Sequence, residues 1–175
     1  MTDIDTQTRI TLKKLKVAEF ASEETLCFSA LVLLDGKPIA RAKNDGRGGC
    51  TFIDPLPGKT KALTEGEAYA KTLPSVTSSY SKAKGSKTFT IAVDLEFLVV
   101  HLANEMHLKA AFKRDFRNKV MFVKDGKLNY LQGVRLPKVA DKARLFVELR
   151  KKHGAQIVVS ELTETQAFVL WRKHS

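Results

Sequence analysis

At 175 residues, with 43% hydrophobic and 28% charged side chains, the chain has the size and make-up of one globular α+β domain over 1–175 and not of a disordered segment. Thirty Lys and Arg against 19 Asp and Glu give a net charge of +11, which points to anionic partners. No apolar run reaches the roughly 18 residues of a membrane span and the opening residues lack the apolar stretch of a secretory leader, so the expectation is a cytoplasmic protein with no membrane partner.

In chain order, "ITLKKLKV" alternates apolar and polar residues with a phase slip at Lys13 and Lys14, the pattern of a strand with a bulge. "LCFSALVLLDGKPIARAK" follows as two strands joined at Asp35-Gly36, a dipeptide that accepts the positive φ of a two-residue hairpin turn. These elements predict an N-terminal antiparallel sheet of three strands. The register sets Pro38 opposite Leu33, and a residue without an amide hydrogen marks residues 38 to 43 as a sheet edge.

"NDGRGGC", residues 44 to 50, raises the question of a phosphate cradle. Such cradles open a helix, and "CTFIDPLP" with its two prolines forbids one here; "PGKTK" imitates the end of a nucleotide-binding loop but has Ile53 where that motif needs glycine. The plainer expectation is a glycine-bent exit from the sheet, with Arg47 available to an anion. "LTEGEAYAKTLP" reads as a short helix ending before Pro74, with Thr64 as its cap and Glu67 completing a capping box. "SVTSSYSKAKGSK" then reads as a mobile loop over 75–88 whose Lys82, Lys84 and Lys87 are either secondary anion contacts or solvated.

The longest regular element begins at Asp94, and Leu95, Leu98, Val99, Leu102, Met106 and Ala110 recur at helical spacing as the buried stripe of a long central helix. A second hairpin turns at Asp125-Gly126 and sets Met121, Val123, Leu128 and Tyr130 on one inward face. The chain closes as helix, strand, helix: one helix from near Pro137 to Gly154, the strand "AQIVVS", and a last helix capped by Thr163 and Gln166, with Leu162 against Ala167 as a staple and Trp171 in the core.

Charge is distributed unevenly along this plan. Residues 1–60 carry nine basic and eight acidic side chains, 61–108 five of each, and 109–175 sixteen and six. Arg144, Glu148 and Lys152 offset one another at four-residue spacing, and Lys151, Lys152 and His153 suit the negative end of a helix dipole. Lys109, Lys113 and Arg117 instead repeat one sign on one helix face with Arg114 beside them, and Lys119, Lys124 and Lys127 continue the charge into the hairpin. These seven residues are the candidate contacts to a phosphate backbone, against the alternative of a solvated face.

Other chemistry is sparse. Cys27 and Cys50 have no partner at metal spacing and read as thiols; His101 and His107 read as surface or satisfied histidines; Glu23, Glu24, Asp45 and Asp54 are scattered. No catalytic motif, metal site or cofactor site emerges, and an enzyme would require the fold to gather those carboxylates.

"FASEETLCFSALVLLDGKPIARAKNDGRGGC", "VDLEFLVVHL" and "KRDFRNKVMFVKDGK" resemble small proteins encoded by bacteria, phages and prophages, a likeness spanning about residues 20 to 135. No activity is assigned to that group, so the resemblance implies a setting, the cytoplasm of a bacterium or phage-infected host, and no catalytic residue. Two functions fit. One is a nucleic-acid-binding accessory protein using phosphate contacts. The other is a phage-encoded, anti-defence inhibitor of anti-CRISPR type, docking its positive face on an acidic host protein or ribonucleoprotein and adding contacts through strand 38–43 or the "NDGRGGC" loop. Its positive charge separates it from acidic mimics of DNA.

Overall fold

The computed structural model describes residues 3–81 and 86–174. The chain is α+β and divides into two compact units, 1–107 and 108–175, with the division falling inside the longest helix.

In the first unit a short helix α1 (Asp3–Thr6) leads into β1 (Ile10–Val17), β2 (Phe28–Leu34), β3 (Lys37–Asn44) and β4 (Phe52–Pro55), an antiparallel sheet in that order. The sheet therefore has four strands where the sequence pattern predicts three. β4 pairs Phe52 with Lys43 and Pro55 with Ala40, so residues 40–43 are interior to the sheet and the expected edge is covered. Pro38 lies beyond the end of that pairing, where its missing N–H breaks no ladder bond, and it faces Leu33 as anticipated. The Asp35-Gly36 turn has φ of 47° and 77°, both positive as a two-residue hairpin of this hand requires. The β1 bulge also stands: the register shifts between Lys13 and Lys16, with Lys14 at φ 53°.

Strand alternation sends Ile10, Leu12, Phe28, Ala30, Val32 and Ala42 to one face, where they join Leu63 and Ala70 of α2 (Thr60–Thr72) and Leu98, Val99 and Ala103 of α3 (Leu95–Asn118) in a single core. Gly66 lets α2 come close to the sheet: a Cβ there would stand 3.3 Å from the tip of Ile39. α2 begins one turn earlier than predicted, after a turn closed by the Lys59 N–H to the Leu56 carbonyl; Lys59 holds the cap position, and the Thr64 hydroxyl bonds back to the Thr60 carbonyl instead of capping. The stretch expected as a loop over 75–88 contains a hairpin, β5 (Val76–Ser81) with β6 (Ser86–Ile91), while Lys82 and Lys84 lie outside the described residues.

Asp94 caps α3 as the sequence predicts, accepting the Phe97 N–H at 2.7 Å. The buried stripe is correct only in the first half. Met106 and Ala110 are exposed, and beyond the unit boundary the buried residue is Phe112.

The second unit is a three-stranded sheet ordered β8 (Lys127–Arg135), β7 (Lys119–Lys124), β9 (Ile157–Val158). β7 is the central strand and is buried on both faces. Val120 and Phe122 join Leu149 of α4 (Lys142–His153) in one cluster; Met121 joins Phe112, Ala167 and Trp171 in another, the last two from α5 (Glu164–Lys173). α4 starts later than predicted: Pro137 sits in a separate 3-10 turn, and the cap is Asp141, accepting the Arg144 N–H at 2.9 Å. Gly154 ends it in the left-handed conformation, and Thr163 with Gln166 forms the anticipated capping box.

Candidate nucleic-acid interface

All seven cations proposed from the sequence are exposed, and all belong to the second unit. The helical spacing of Lys109, Lys113 and Arg117 holds, since α3 continues to Asn118. Residues eight apart stand about 12 Å along such a helix. Their surroundings differ from the uniform stripe expected. Lys113 Nζ lies 3.8 Å from a Glu164 carboxylate oxygen, and Lys119 Nζ lies 2.9 Å from Asp115 one turn before it. The Lys113–Glu164 pair is open to water and contributes on the order of 0–1 kcal/mol, whereas the Asp115 carboxylate is largely shielded; both pairs lower the local potential. Arg114 also has a partner, so it does not stand alone beside the stripe.

Lys109, Arg117, Lys124 and Lys127 have no acidic partner among the described residues. Asp125, between the last two, makes no ion pair there either. Lys109 and Lys113 border a depression of about 280 Å³ with Phe112 and Phe168 in its wall. Lys119 borders another, of about 470 Å³, with Asn118, Tyr130, Gln132 and Arg135. Lys124 runs to the end of α4, where a Cβ on Gly154 would lie 3.7 Å from its Cε. The seven therefore fall in three places around the unit, joined by the helix and the hairpin.

Two functional candidates escaped the sequence. Tyr130 is 56% exposed instead of core, on β8, the edge strand beside the fully buried Val-Met-Phe-Val run of β7; the Lys119 ammonium sits 5.3 Å from its ring centre. Arg135 pairs in register with Lys119, a juxtaposition set by the β7–β8 irregularity and not by sequence spacing. Lys151 was assigned to helix-end electrostatics, and Lys124 reaching Gly154 brings another cation to that end. Arg150 is held by Glu161, and Glu148 by both Arg144 and Lys152 at 3.5 Å, the ladder expected.

The "NDGRGGC" loop is not an anion cradle. Its amides are turned inward and used: Gly46 N–H donates to Asn44 Oδ1 at 2.8 Å, Arg47 N–H to Asp45 Oδ1 at 3.2 Å, and Gly48 N–H to Thr25 Oγ1 at 3.3 Å. Buried Asn44 organises the turn, also taking the Thr25 hydroxyl and donating to the Gly49 carbonyl and Thr51 Oγ1. Arg47 remains exposed on it, a side chain without a built site. The side chain of Lys87 lies outside the described residues, as do Lys82 and Lys84. With β4 in place, strand addition at 38–43 is closed to a partner protein at 40–43.

Cys27 and Cys50 are free thiols. His107 Nε2 lies 3.7 Å from a Glu19 oxygen and His101 has its own interaction, so each is a satisfied histidine. Among the described residues no three His, Cys, Asp or Glu side chains gather as a metal site, and no helix is long and apolar enough to cross a membrane. No protein family, curated protein or solved structure matches this chain.

Proposed function

We propose that the protein is a nucleic-acid-binding accessory protein that contacts the phosphate backbone through its second unit, with little base specificity. The observation that carries the reading is what remains after ion pairs are assigned: sixteen basic residues share six acids, and Lys109, Arg117, Lys124 and Lys127 keep no acidic partner among the described residues. An exposed cation with no acid beside it releases a counterion for each phosphate it neutralises, so affinity comes from salt entropy and falls as salt rises, with a slope of about −0.9 per contact on duplex DNA. Lys113 and Lys119 are weaker contributors, because each must leave a carboxylate first.

The test is a salt titration of binding to unrelated duplexes by the wild type and by Lys109→Glu with Arg117→Glu. The expected result is a loss shared equally by all sequences and a slope shallower by about 2. Affinity and slope that do not change would dispose of the reading.

A further inference from the structure

The solvent face of the first unit's sheet is a second basic surface, and its chemistry differs from that of the α3 stripe. Two rungs cross the four strands in register: Lys13, Leu31, Arg41, Asp54, and then Lys16, Ser29, Lys43, Phe52. These side chains alternate with the buried ones, so they share the face opposite the core. Lys14, Lys16, Arg41 and Lys43 surround a shallow depression of about 540 Å³ floored by Ser29 and Leu31. None of the four, nor Lys13, has an ion pair among the described residues. Asp54 is the one acid on these rungs, opposite Arg41 and not paired to it. Other acids of the unit are engaged elsewhere: Asp35 and Glu65 with Arg9, Glu19 with His107.

The bulge in β1 contributes to this surface. Perfect alternation would turn one of Lys13 and Lys14 toward the core; the inserted residue, with Lys14 in a left-handed conformation that ordinary residues avoid, leaves Lys13, Lys14 and Lys16 all exposed. At the far end of the second rung Phe52 is 67% exposed, an aromatic ring on a charged surface.

We propose that this sheet face docks single-stranded nucleic acid, its phosphates held by Lys14, Lys16, Arg41 and Lys43 and an unpaired base stacked on Phe52. The charge is complementary to a phosphodiester chain, and the ring supplies what an acidic peptide has no use for. A duplex hides its base faces and would need an element that enters a groove, whereas a flat sheet with an exposed ring meets splayed bases directly. The proposal is independent of the α3 stripe and stands or falls on other residues.

The test uses the full chain and fluorescence anisotropy with labelled oligothymidylate and oligouridylate of about twenty nucleotides, longer than the ~4–16 one such surface covers, beside a duplex of equal length. Phe52→Ala is expected to weaken both single strands about tenfold with an unchanged salt slope, because it removes stacking and no charge. Lys16→Glu with Lys43→Glu is expected to weaken them at least tenfold and flatten the slope. Both variants change exposed side chains, so the fold persists. Wild-type affinity for single strands in both variants overturns the proposal, as does polyglutamate displacing the oligonucleotide as well as unlabelled strand does. If Lys109→Glu with Arg117→Glu alone abolishes single-strand binding, this proposal fails; single-strand binding lost in the sheet variants alone supports it, and the α3 reading is then decided separately by the duplex arm. Equal loss on DNA and RNA means recognition through phosphate and base, while a preference for RNA adds the 2′-hydroxyl.

Discussion

The two units of this chain solve the same packing problem with opposite consequences for their charges. In the first, a four-stranded sheet covers one face with α2 and α3 and leaves the other face to Lys, Arg and Ser. In the second, a three-stranded sheet has apolar clusters on both faces of β7, and the cations are displaced to the end of α3, the hairpin tip and the end of α4. A one-sided sheet displays charge as a plane; a two-sided sheet displays it as a rim. The near-balanced count in residues 1–60 thus conceals a strongly basic surface, because strand alternation separates charges that are adjacent in sequence.

The largest blow to this comparison would come from the second unit's core. Phe112 is 2% exposed and packs on Phe116, Phe168 and Trp171 with ring centres 5.2–5.8 Å apart. Phe112→Ala should cost about 3–5 kcal/mol. If the two units have separate cores, hydrogen exchange will show amides of β7, β8 and α5 losing protection while β1–β3 keep theirs; uniform loss would mean a shared core. A smaller effect is expected in the first unit from Gly46→Ala. Gly46 has φ 88°, and a Cβ there would run into the Ala21 carbonyl oxygen, while the Gly46 carbonyl accepts N–H bonds from Glu23, Glu24 and Thr25. The predicted cost is roughly 1–3 kcal/mol by urea denaturation, sparing the second unit.

The smallest effect concerns Asp35, whose carboxylate takes two N–H bonds from Arg9, at 2.9 and 2.6 Å. That guanidinium holds the carboxyl below its ordinary value, with Lys37 adding a little. A depressed folded-state value means the stabilisation is present above the unfolded carboxylate pKa of about 3.9 and disappears as pH falls through the folded value. Asp35→Asn tolerates the same positive φ. Its urea midpoint should sit slightly below wild type at neutral pH and converge with it on acidification below about 4; a gap that persists in acid would assign the effect to the turn and not to the ion pair.

Signals that act within a few residues were readable directly. Asp35-Gly36 and Asp125-Gly126 specify their hairpins, Asp94 and Thr163 cap their helices, and Gly154 ends α4, each because one side chain or one φ decides the local geometry. β4 was missed because Pro55 ends it and Pro57 follows two residues on, a pattern that reads as a loop, and only the neighbouring β3 supplies its ladder. The hairpin of β5 and β6 was missed because Ser and Lys give no apolar alternation. The register that sets Tyr130 opposite Met121 is correct, but on the edge strand β8 the cover over that face reaches Leu128 and not Tyr130, an extent that no alternation pattern encodes.

Composition, periodicity and capping were enough to determine that the chain is basic, α+β, and built around the two Asp-Gly hairpins and the helices α2 to α5, since such features are set by backbone geometry and solvent preference over short distances. Which cations stand beside an acid, which face of a sheet stays open, and that Lys16, Lys43 and Phe52 share one rung were decided by tertiary structure alone. Those relations join residues from separate strands and helices, and no spacing along the chain encodes the distance between them.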